Sequence, residues 1–480
     1  MRNEVNSSGL KEECGIVGLW DKQGGIAHLC YLSLFALQHR GQEGAGIAVT
    51  NGMHIDVEKG LGLMTEAFKE GIPSLEGHCS IGHVRYSTMG GNSLKNVQPI
   101  FAYDSNGLLS LAHNGSLTNA HRLRRQLEEQ GCHFQSTTDS EVILNLIASS
   151  TASTLESRIT ESLAQVEGAY CLVIMNGDRL IAVRDPYGFR PLCLGRTASG
   201  GYIVASESCA LDAIDATFER DIAPGEMVVI TQEGVSSQWL TRPNIKALCS
   251  FEYIYFSRPD SDIDGLNVWQ ARFRLGEQLA HEHRIDADIV VPVPDTGIAA
   301  AIGFSAASGI PYVEGLIKNR YIGRTFILPQ QHLRASRVKM KLSPVKANVR
   351  GKRVVLIDDS IVRGTTSGRI IAMLYEAGAK EVHMCVSSPP ITDPCYYGVD
   401  TSVRSELIAA NHSVAEIAQT IGATSLNYLS LKGLHHALQD DKGCALCVSC
   451  FCGRYPTDVS ECQSELHKES LTVIPTKEVL

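Results

Sequence analysis

Several things are missing from this chain, and each absence removes a class of function. No apolar run approaches the ~20 residues that a membrane-spanning helix needs. The segment Met1 to Glu13 is polar and has no apolar core of the kind a signal peptide carries. Positive charge is not in excess: 43 Lys and Arg against 52 Asp and Glu give −9, which argues against a nucleic-acid partner. Low-complexity tracts and internal repeats are absent. The 15 cysteines are odd in number and mostly stand singly in apolar contexts, as Cys171 does before Leu172, Val173 and Ile174. They read as reduced core residues, and the expected location is cytoplasmic. What remains is an ordinary globular composition over 480 residues, enough for two or three domains with cores of their own.

The chemistry is organised around Val354-Val355-Leu356-Ile357-Asp358-Asp359-Ser360-Ile361-Val362-Arg363-Gly364-Thr365-Thr366-Ser367. The short continuous apolar run reads as a strand buried on both faces, as in a parallel sheet. It ends in two carboxylates and a loop of Gly and hydroxyl residues. Ile370, Leu374 and Ala377 then keep helical spacing up to Gly378, and Val382, Met384 and Val386 alternate as a second strand. This is a βαβ unit with its polar residues at the carboxyl end of the first strand, where open α/β sheets bind ligands. Gly364 lets the backbone approach a ligand, and the Thr365, Thr366 and Ser367 hydroxyls with the helix-opening N–H groups can surround a phosphate. Two adjacent carboxylates suit ribose hydroxyls or Mg²⁺.

The apolar run and Asp-Asp alone would equally make a Walker-B-like strand end or an acidic strand cap. With Arg-Gly-Thr-Thr-Ser at this spacing, the stretch resembles the phosphoribosylpyrophosphate (PRPP) loop of the phosphoribosyltransferases. In that family the carboxylate pair contacts the ribose and the loop holds the 5′-phosphate. The resemblance makes Asp358, Asp359, Ser360, Arg363, Gly364, Thr365, Thr366 and Ser367 the expected PRPP contacts.

Nearer the amino terminus, Glu12-Glu13-Cys14-Gly15-Ile16-Val17-Gly18 taken alone reads as a first strand with a small buried thiol. Leu37-Gln38-His39-Arg40-Gly41-Gln42-Glu43 is a polar turn after a helix, and Gly82-His83-Val84-Arg85-Tyr86-Ser87-Thr88 places an Arg inside a strand-like segment. Ala112-His113-Asn114-Gly115-Ser116-Leu117 suggests by itself only a hairpin turn. In this order and spacing the four resemble the N-terminal-nucleophile glutamine amidotransferases.

A thiol that attacks a glutamine amide needs a base beside it. If Cys14 begins the mature chain, its own α-amino group, with a reference pKa of about 8, is that base. Residues 1–13 would then be a propeptide. The resemblance implies an oxyanion hole of Asn114 and Gly115, a substrate carboxylate on Arg85 and a substrate ammonium on Asp139. Asp139 also reads as a helix N-cap before Val142-Ile143-Leu144.

Short apolar strands and turns continue to about residue 245, fitting an αββα sandwich. A boundary is expected near Thr241 to Leu248, which gives 14–245 for the glutaminase and 246–480 for a type I phosphoribosyltransferase parallel-sheet domain. The fold class is therefore α+β followed by α/β. Asp288 to Pro294 reads as a strand leading to Asp295-Thr296-Gly297, a turn suited to pyrophosphate. Mg²⁺ is expected on Thr296, Asp358 and Asp359. Lys318-Asn319-Arg320-Tyr321-Ile322-Gly323-Arg324-Thr325-Phe326 reads either as a solvated loop or as a lid over a polyanion, with Lys318 and Arg320 on PRPP. Closure of that lid is expected to form a passage for ammonia between the two sites.

Cys444, Cys447, Cys450 and Cys452 fall close together near the carboxyl end, with the C-x₂-C spacing of a metal site. Spacing alone favours zinc over iron–sulfur. The ending Cys447-Val448-Ser449-Cys450-Phe451-Cys452-Gly453-Arg454-Tyr455-Pro456-Thr457 is similar to that of the iron–sulfur subclass of PRPP amidotransferases. By that resemblance Cys249, Cys395, Cys447 and Cys450 hold a [4Fe–4S] cluster that staples the second domain, with Cys444 and Cys452 close enough to compete. The resemblance further implies transfer of ammonia from glutamine to PRPP at the opening of purine synthesis, feedback by purine nucleotides, and a homotetramer. A PRPP-sensing regulator shares the second fold, but it leaves Cys14, Arg85, Asn114 and the cysteines without a task.

Overall fold

Period-two alternation explains how the first half of the chain stacks. In the strand Gly15–Trp20, Val17 and Leu19 face one way into a cluster with Leu34 and Ile47, while Ile16 and Trp20 face the other into a cluster with Val173 and Leu180. The strand is therefore buried on both sides. The computed structural model describes residues 14–72, 74–86, 91–104, 107–240, 245–319, 342–401, 403–438 and 446–464. The proposed propeptide 1–13, Arg320, the rest of the 318–326 segment beyond Asn319, and Cys444 lie outside the described residues.

Gly15–Trp20 runs antiparallel between Tyr202–Ala205 and Cys79–Arg85 in a seven-stranded sheet. A six-stranded sheet packs against it, with Gly107–Leu117 antiparallel to Ile100–Asp104 and Gly168–Asn176. Helix Ile26–Ala36 covers the outer face of the first sheet, and helices Ser140–Ser149 and Leu155–Leu163 cover the second. This is the αββα sandwich.

The second unit is a four-stranded parallel sheet in the order Ile289–Pro292, Arg353–Asp358, Glu381–Val386, Ser425–Tyr428. Val355 and Ile357 pack with Leu275, Phe304 and Leu434 on one face; Val354 and Leu356 pack with Ile370, Leu374 and Ile417 on the other. Helices on both faces are what a run apolar at every position requires. No helix among the described residues is long and apolar enough to cross a membrane.

Three arginines of the first unit are almost entirely buried where the two units meet, and each takes a partner from the second. Arg40 donates to Glu252 through both terminal nitrogens, at 2.9 and 2.8 Å. Arg184 donates to both oxygens of Asp264 at 2.8 and 3.0 Å, and Arg190 donates to the Tyr397 carbonyl at 2.6 Å. The chain end closes the second unit: Leu446–Cys447 pairs in parallel with Leu248–Cys249, which sets Cys447 opposite Cys249.

Helices Val268–Glu282 and Gly297–Ser308 approach through glycine. A Cβ at Gly276 would lie 1.8 Å from the Ala300 carbonyl oxygen, and one at Gly303 would lie 2.0 Å from that of Phe273. A Gly276→Ala variant is thus expected to lose about 1–3 kcal/mol, the usual cost of overpacking. A lowered urea midpoint with an unchanged m-value would show it.

Candidate active site

Strand register builds the first site. Gly15 stands opposite Val84, so Cys14 and Arg85 extend from neighbouring strand ends. The Cys14 thiol lies 3.4 Å from the Tyr86 carbonyl oxygen and 3.5 Å from the Tyr86 nitrogen. Arg85 terminates the strand Cys79–Arg85 and does not sit in its middle, which leaves its guanidinium at the sheet edge. Burial lowers the Arg85 pKa, while the charges of Cys14, Glu43 and Asp139 pull it back up, so these four groups share one region. The turn from Leu37 to Glu43 is pressed against the same strand end: a Cβ at Gly41 would fall 2.5 Å from the Val84 carbonyl carbon.

Asn114-Gly115 is not a turn. Both residues lie within the long strand Gly107–Leu117. Gly115 has φ 143°, and a Cβ there would meet the Ala169 carbonyl oxygen at 2.1 Å, so both backbone angle and space require glycine. Asn114 is 1% exposed, yet neither its Nδ2 nor its Oδ1 has a hydrogen-bond partner among the described residues. Buried amides are seldom left so, and such an amide is prepared for a ligand.

Asp139 occupies the N-cap position of helix Ser140–Ser149, but its side chain makes no capping bond. Instead its Oδ2 accepts from the Leu117 N–H at 2.9 Å, and its Oδ1 lies 3.9 Å from His113 Nδ1. The carboxylate is thus directed toward the strand that bears Asn114.

The second site is compact in sequence. Asp358 ends the central strand, Gly364 adopts φ 74°, and helix Thr365–Glu376 begins at once. Asp359 accepts hydrogen bonds from Ser360 Oγ at 2.7 Å and from the Thr296 hydroxyl. Burial holds the Asp358 carboxyl well above its usual pKa, reinforced by the charge of Asp359. Asp359 is also raised by burial, against the hydrogen bonds from Thr296 and Ser360 and the charge of Arg272. Two carboxylates and a hydroxyl form an all-oxygen donor set that fits Mg²⁺. Ser367 is buried at the helix start. Two of the expected PRPP cations point to acids: Arg363 donates from Nε to Glu406 at 3.0 Å, and Lys318 is paired with Asp295.

The cysteines that are far apart in sequence meet in space. Cys249, Cys395, Cys447 and Cys450 line one cavity of about 10 Å³, together with Phe189 and Phe251. Burial raises the Cys450 thiol well above its usual pKa, and the charges of Cys395, Cys249 and Cys447 raise it further. Cys395 is pushed up by burial to about 11. Among the described residues no three His, Cys, Asp or Glu side chains are already gathered closely enough to hold a metal ion. The soft, four-sulfur donor set nonetheless fits zinc or an iron–sulfur cluster. Cys452 does not line the cavity. Phe189 comes from the first unit, so the thiols lie at the seam between the units and not within the second alone.

Sequence reasoning gave Glu207 and Arg190 structural roles only and gave no role to Arg40 or Glu252, yet all four are fully buried beside the first site. Glu252 is 212 positions from Arg40, and nothing local to either signals the pairing.

The two folds with these sites define a glutamine amidotransferase joined to a phosphoribosyltransferase. Residues 83–213 match the glutamine amidotransferase domain family, and residues 263–415 match the phosphoribosyl transferase domain family. The amidophosphoribosyltransferase of Bacillus subtilis is 52% identical over 456 residues, covering 94% of this chain and 95% of that one. That of Methanocaldococcus jannaschii is 50% identical over 466 residues, covering 93% and 98%. The solved structure of the B. subtilis glutamine PRPP amidotransferase, complexed with ADP and GMP, matches with a TM-score of 0.87 over 93% of this chain and 98% of that chain, at 52% identity. The chain belongs to the amidophosphoribosyltransferase family.

Gly364 tests the phosphate loop. An added Cβ would meet Ile408 at 2.9 Å on a backbone that already has positive φ. A strain of about 1–2 kcal/mol is expected to raise the KM for PRPP about tenfold in Gly364→Ala. Steady-state kinetics with ammonia as the nitrogen donor would measure this.

Proposed function

We propose that the chain converts glutamine, PRPP and water to 5-phosphoribosylamine, glutamate and pyrophosphate, the first step of purine biosynthesis. One observation carries the assignment of the first site: the buried, unpartnered amide of Asn114, next to Gly115, in a region shared by a thiol, an arginine and a carboxylate. The Cys14 sulfur attacks the side-chain carbonyl carbon of glutamine. Negative charge then develops on the amide oxygen, where Asn114 Nδ2 and the Gly115 N–H donate. Collapse expels ammonia and leaves a thioester, which water cleaves to glutamate. Once residues 1–13 are removed, the Cys14 α-amino group takes the thiol proton and returns it to the leaving nitrogen. Arg85 holds the substrate α-carboxylate and Asp139 the α-ammonium.

At the second site ammonia adds to ribose C1 as pyrophosphate departs. Asp358 and Asp359 orient the ribose hydroxyls, and the loop from Ser360 to Ser367 binds the 5′-phosphate through its hydroxyls and helix-opening N–H groups. Mg²⁺ would be held by Asp358, Asp359 and Thr296, and would neutralise charge on the leaving pyrophosphate. Cys249, Cys395, Cys447 and Cys450 would hold a [4Fe–4S] cluster, which supplies a cross-link and not a redox step. Purine nucleotides are the expected inhibitors, supported by the ADP and GMP bound to the B. subtilis relative. A homotetramer is the expected assembly.

A Cys14→Ala variant is expected to lose glutamine-dependent synthesis at least about 10³-fold and to keep ammonia-dependent synthesis. Loss of both would refute the division into two sites. Anaerobic mass spectrometry addresses the processing and the cluster. A denatured mass beginning at Cys14 and a native increment of four irons and four sulfides are expected. A Cys447→Ser variant should lose the increment, and Cys452→Ser should keep it.

A further inference from the structure

The first site is not held by the first unit alone. Glu252 opens a short π-helical turn, Glu252–Phe256, and its side chain is fully buried. Besides the two bonds from Arg40, it accepts from Ser257 Oγ at 2.6 Å and lies 3.5 Å from Arg190 Nη1. Arg40 in turn donates from Nε to the Cys14 carbonyl oxygen at 3.1 Å, and from Nη1 to Glu207 at 2.7 Å. Two carboxylates, Glu207 from the first unit and Glu252 from the second, therefore orient the guanidinium that grips the nucleophile's own backbone, and only Glu252 binds it through both terminal nitrogens.

Arg190 extends the arrangement to the oxyanion side. Its Nη2 donates to the Tyr397 carbonyl, and the following Gly398 has φ 117° and packs against Gly115: a Cβ on Gly398 would come 3.6 Å from the Gly115 carbonyl carbon and 3.3 Å from Arg190 Nη2. The turn bearing Glu252 is itself clamped from the second unit. Arg272 donates to the carbonyls of Tyr253, Tyr255 and Ser257 at 2.8, 3.0 and 2.8 Å. A turn so braced has little freedom, and Glu252 inherits that rigidity.

We propose that Glu252 is a positioning residue for the glutaminase site, contributed by the second unit: it fixes Cys14 through Arg40 and supports the surroundings of Gly115 through Arg190. Full competence of the first site then depends on a group that the first unit does not contain. The proposal rests on the reading of Cys14 as the nucleophile.

The test uses the full-length, processed enzyme and the variant Glu252→Gln, which keeps shape but removes charge. Misplacement of a nucleophile by a fraction of an ångström costs about 10- to 100-fold, and that is the expected fall in kcat for glutamine hydrolysis. The KM for glutamine and the ammonia-dependent synthesis should stay within about twofold of wild type, because Glu252 touches neither substrate. Alkylation of Cys14 by a chloroketone analogue of glutamine should slow in parallel with kcat. A double-mutant cycle with Arg40→Met should show strong non-additivity.

If Glu252→Gln does not fold, Glu252→Asp keeps the charge and shortens the reach; the same selective loss, smaller in size, is expected. Unchanged kcat, or equal loss of both activities with a lowered melting temperature, would reduce Glu252 to a structural clamp and overturn the proposal. A Cys14→Ala variant run alongside separates the two readings. If it retains glutamine hydrolysis, the assignment of the nucleophile fails whatever Glu252 does.

Discussion

A guanidinium does not give up its proton at any pH a folded protein meets, so an arginine taken out of water must be matched. Arg40, Arg184 and Arg190 are each at most 1% exposed, and each finds part of its match across the seam, on Glu252, Asp264 and the Tyr397 carbonyl. Removing such a partner leaves a stranded charge that costs several kcal/mol. The two units are consequently not beads on a string. The stacking of Phe189 on Tyr397, with ring centroids 4.2 Å apart, adds apolar contact to the same junction.

The second site was legible because it is local. Strand, carboxylates, glycine and helix follow one another within a single βαβ unit, and each element imposes its own pattern. The strand alternates between two clusters, and the loop adopts the left-handed angle that only glycine takes easily. What could not be read was the company kept by Arg363 and Lys318, since Glu406 and Asp295 are placed by tertiary packing.

The first site is assembled from distant segments, and its local signals misled. Asn-Gly is a strong hairpin signal, yet here it lies inside a strand, and the glycine at 115 is there because the Ala169 carbonyl leaves room for nothing larger. Asp139 stands where a helix cap belongs, but its carboxylate serves another strand. Arg85 read as mid-strand and proved to be terminal, for the strand stops where the substrate region begins. The αββα sandwich and the cysteine grouping were named through resemblance. Spacing alone pointed to the carboxyl-terminal cysteines, and only the fold brings Cys249 and Cys395 to them.

The parallel pairing of Leu248–Cys249 with Leu446–Cys447 has a consequence for biosynthesis. A ribosome makes the first unit and the turn bearing Glu252 early, but the strand that anchors this junction emerges roughly 10–40 s later, at about 5–20 residues per second. Until then the strand edge at Leu248–Cys249 has no partner, although Glu252 and Asp264, which match Arg40 and Arg184, have already been made. The order of synthesis thus leaves the cavity lined by Cys249, Cys395, Cys447 and Cys450, and not the arginine pairs, to be closed last.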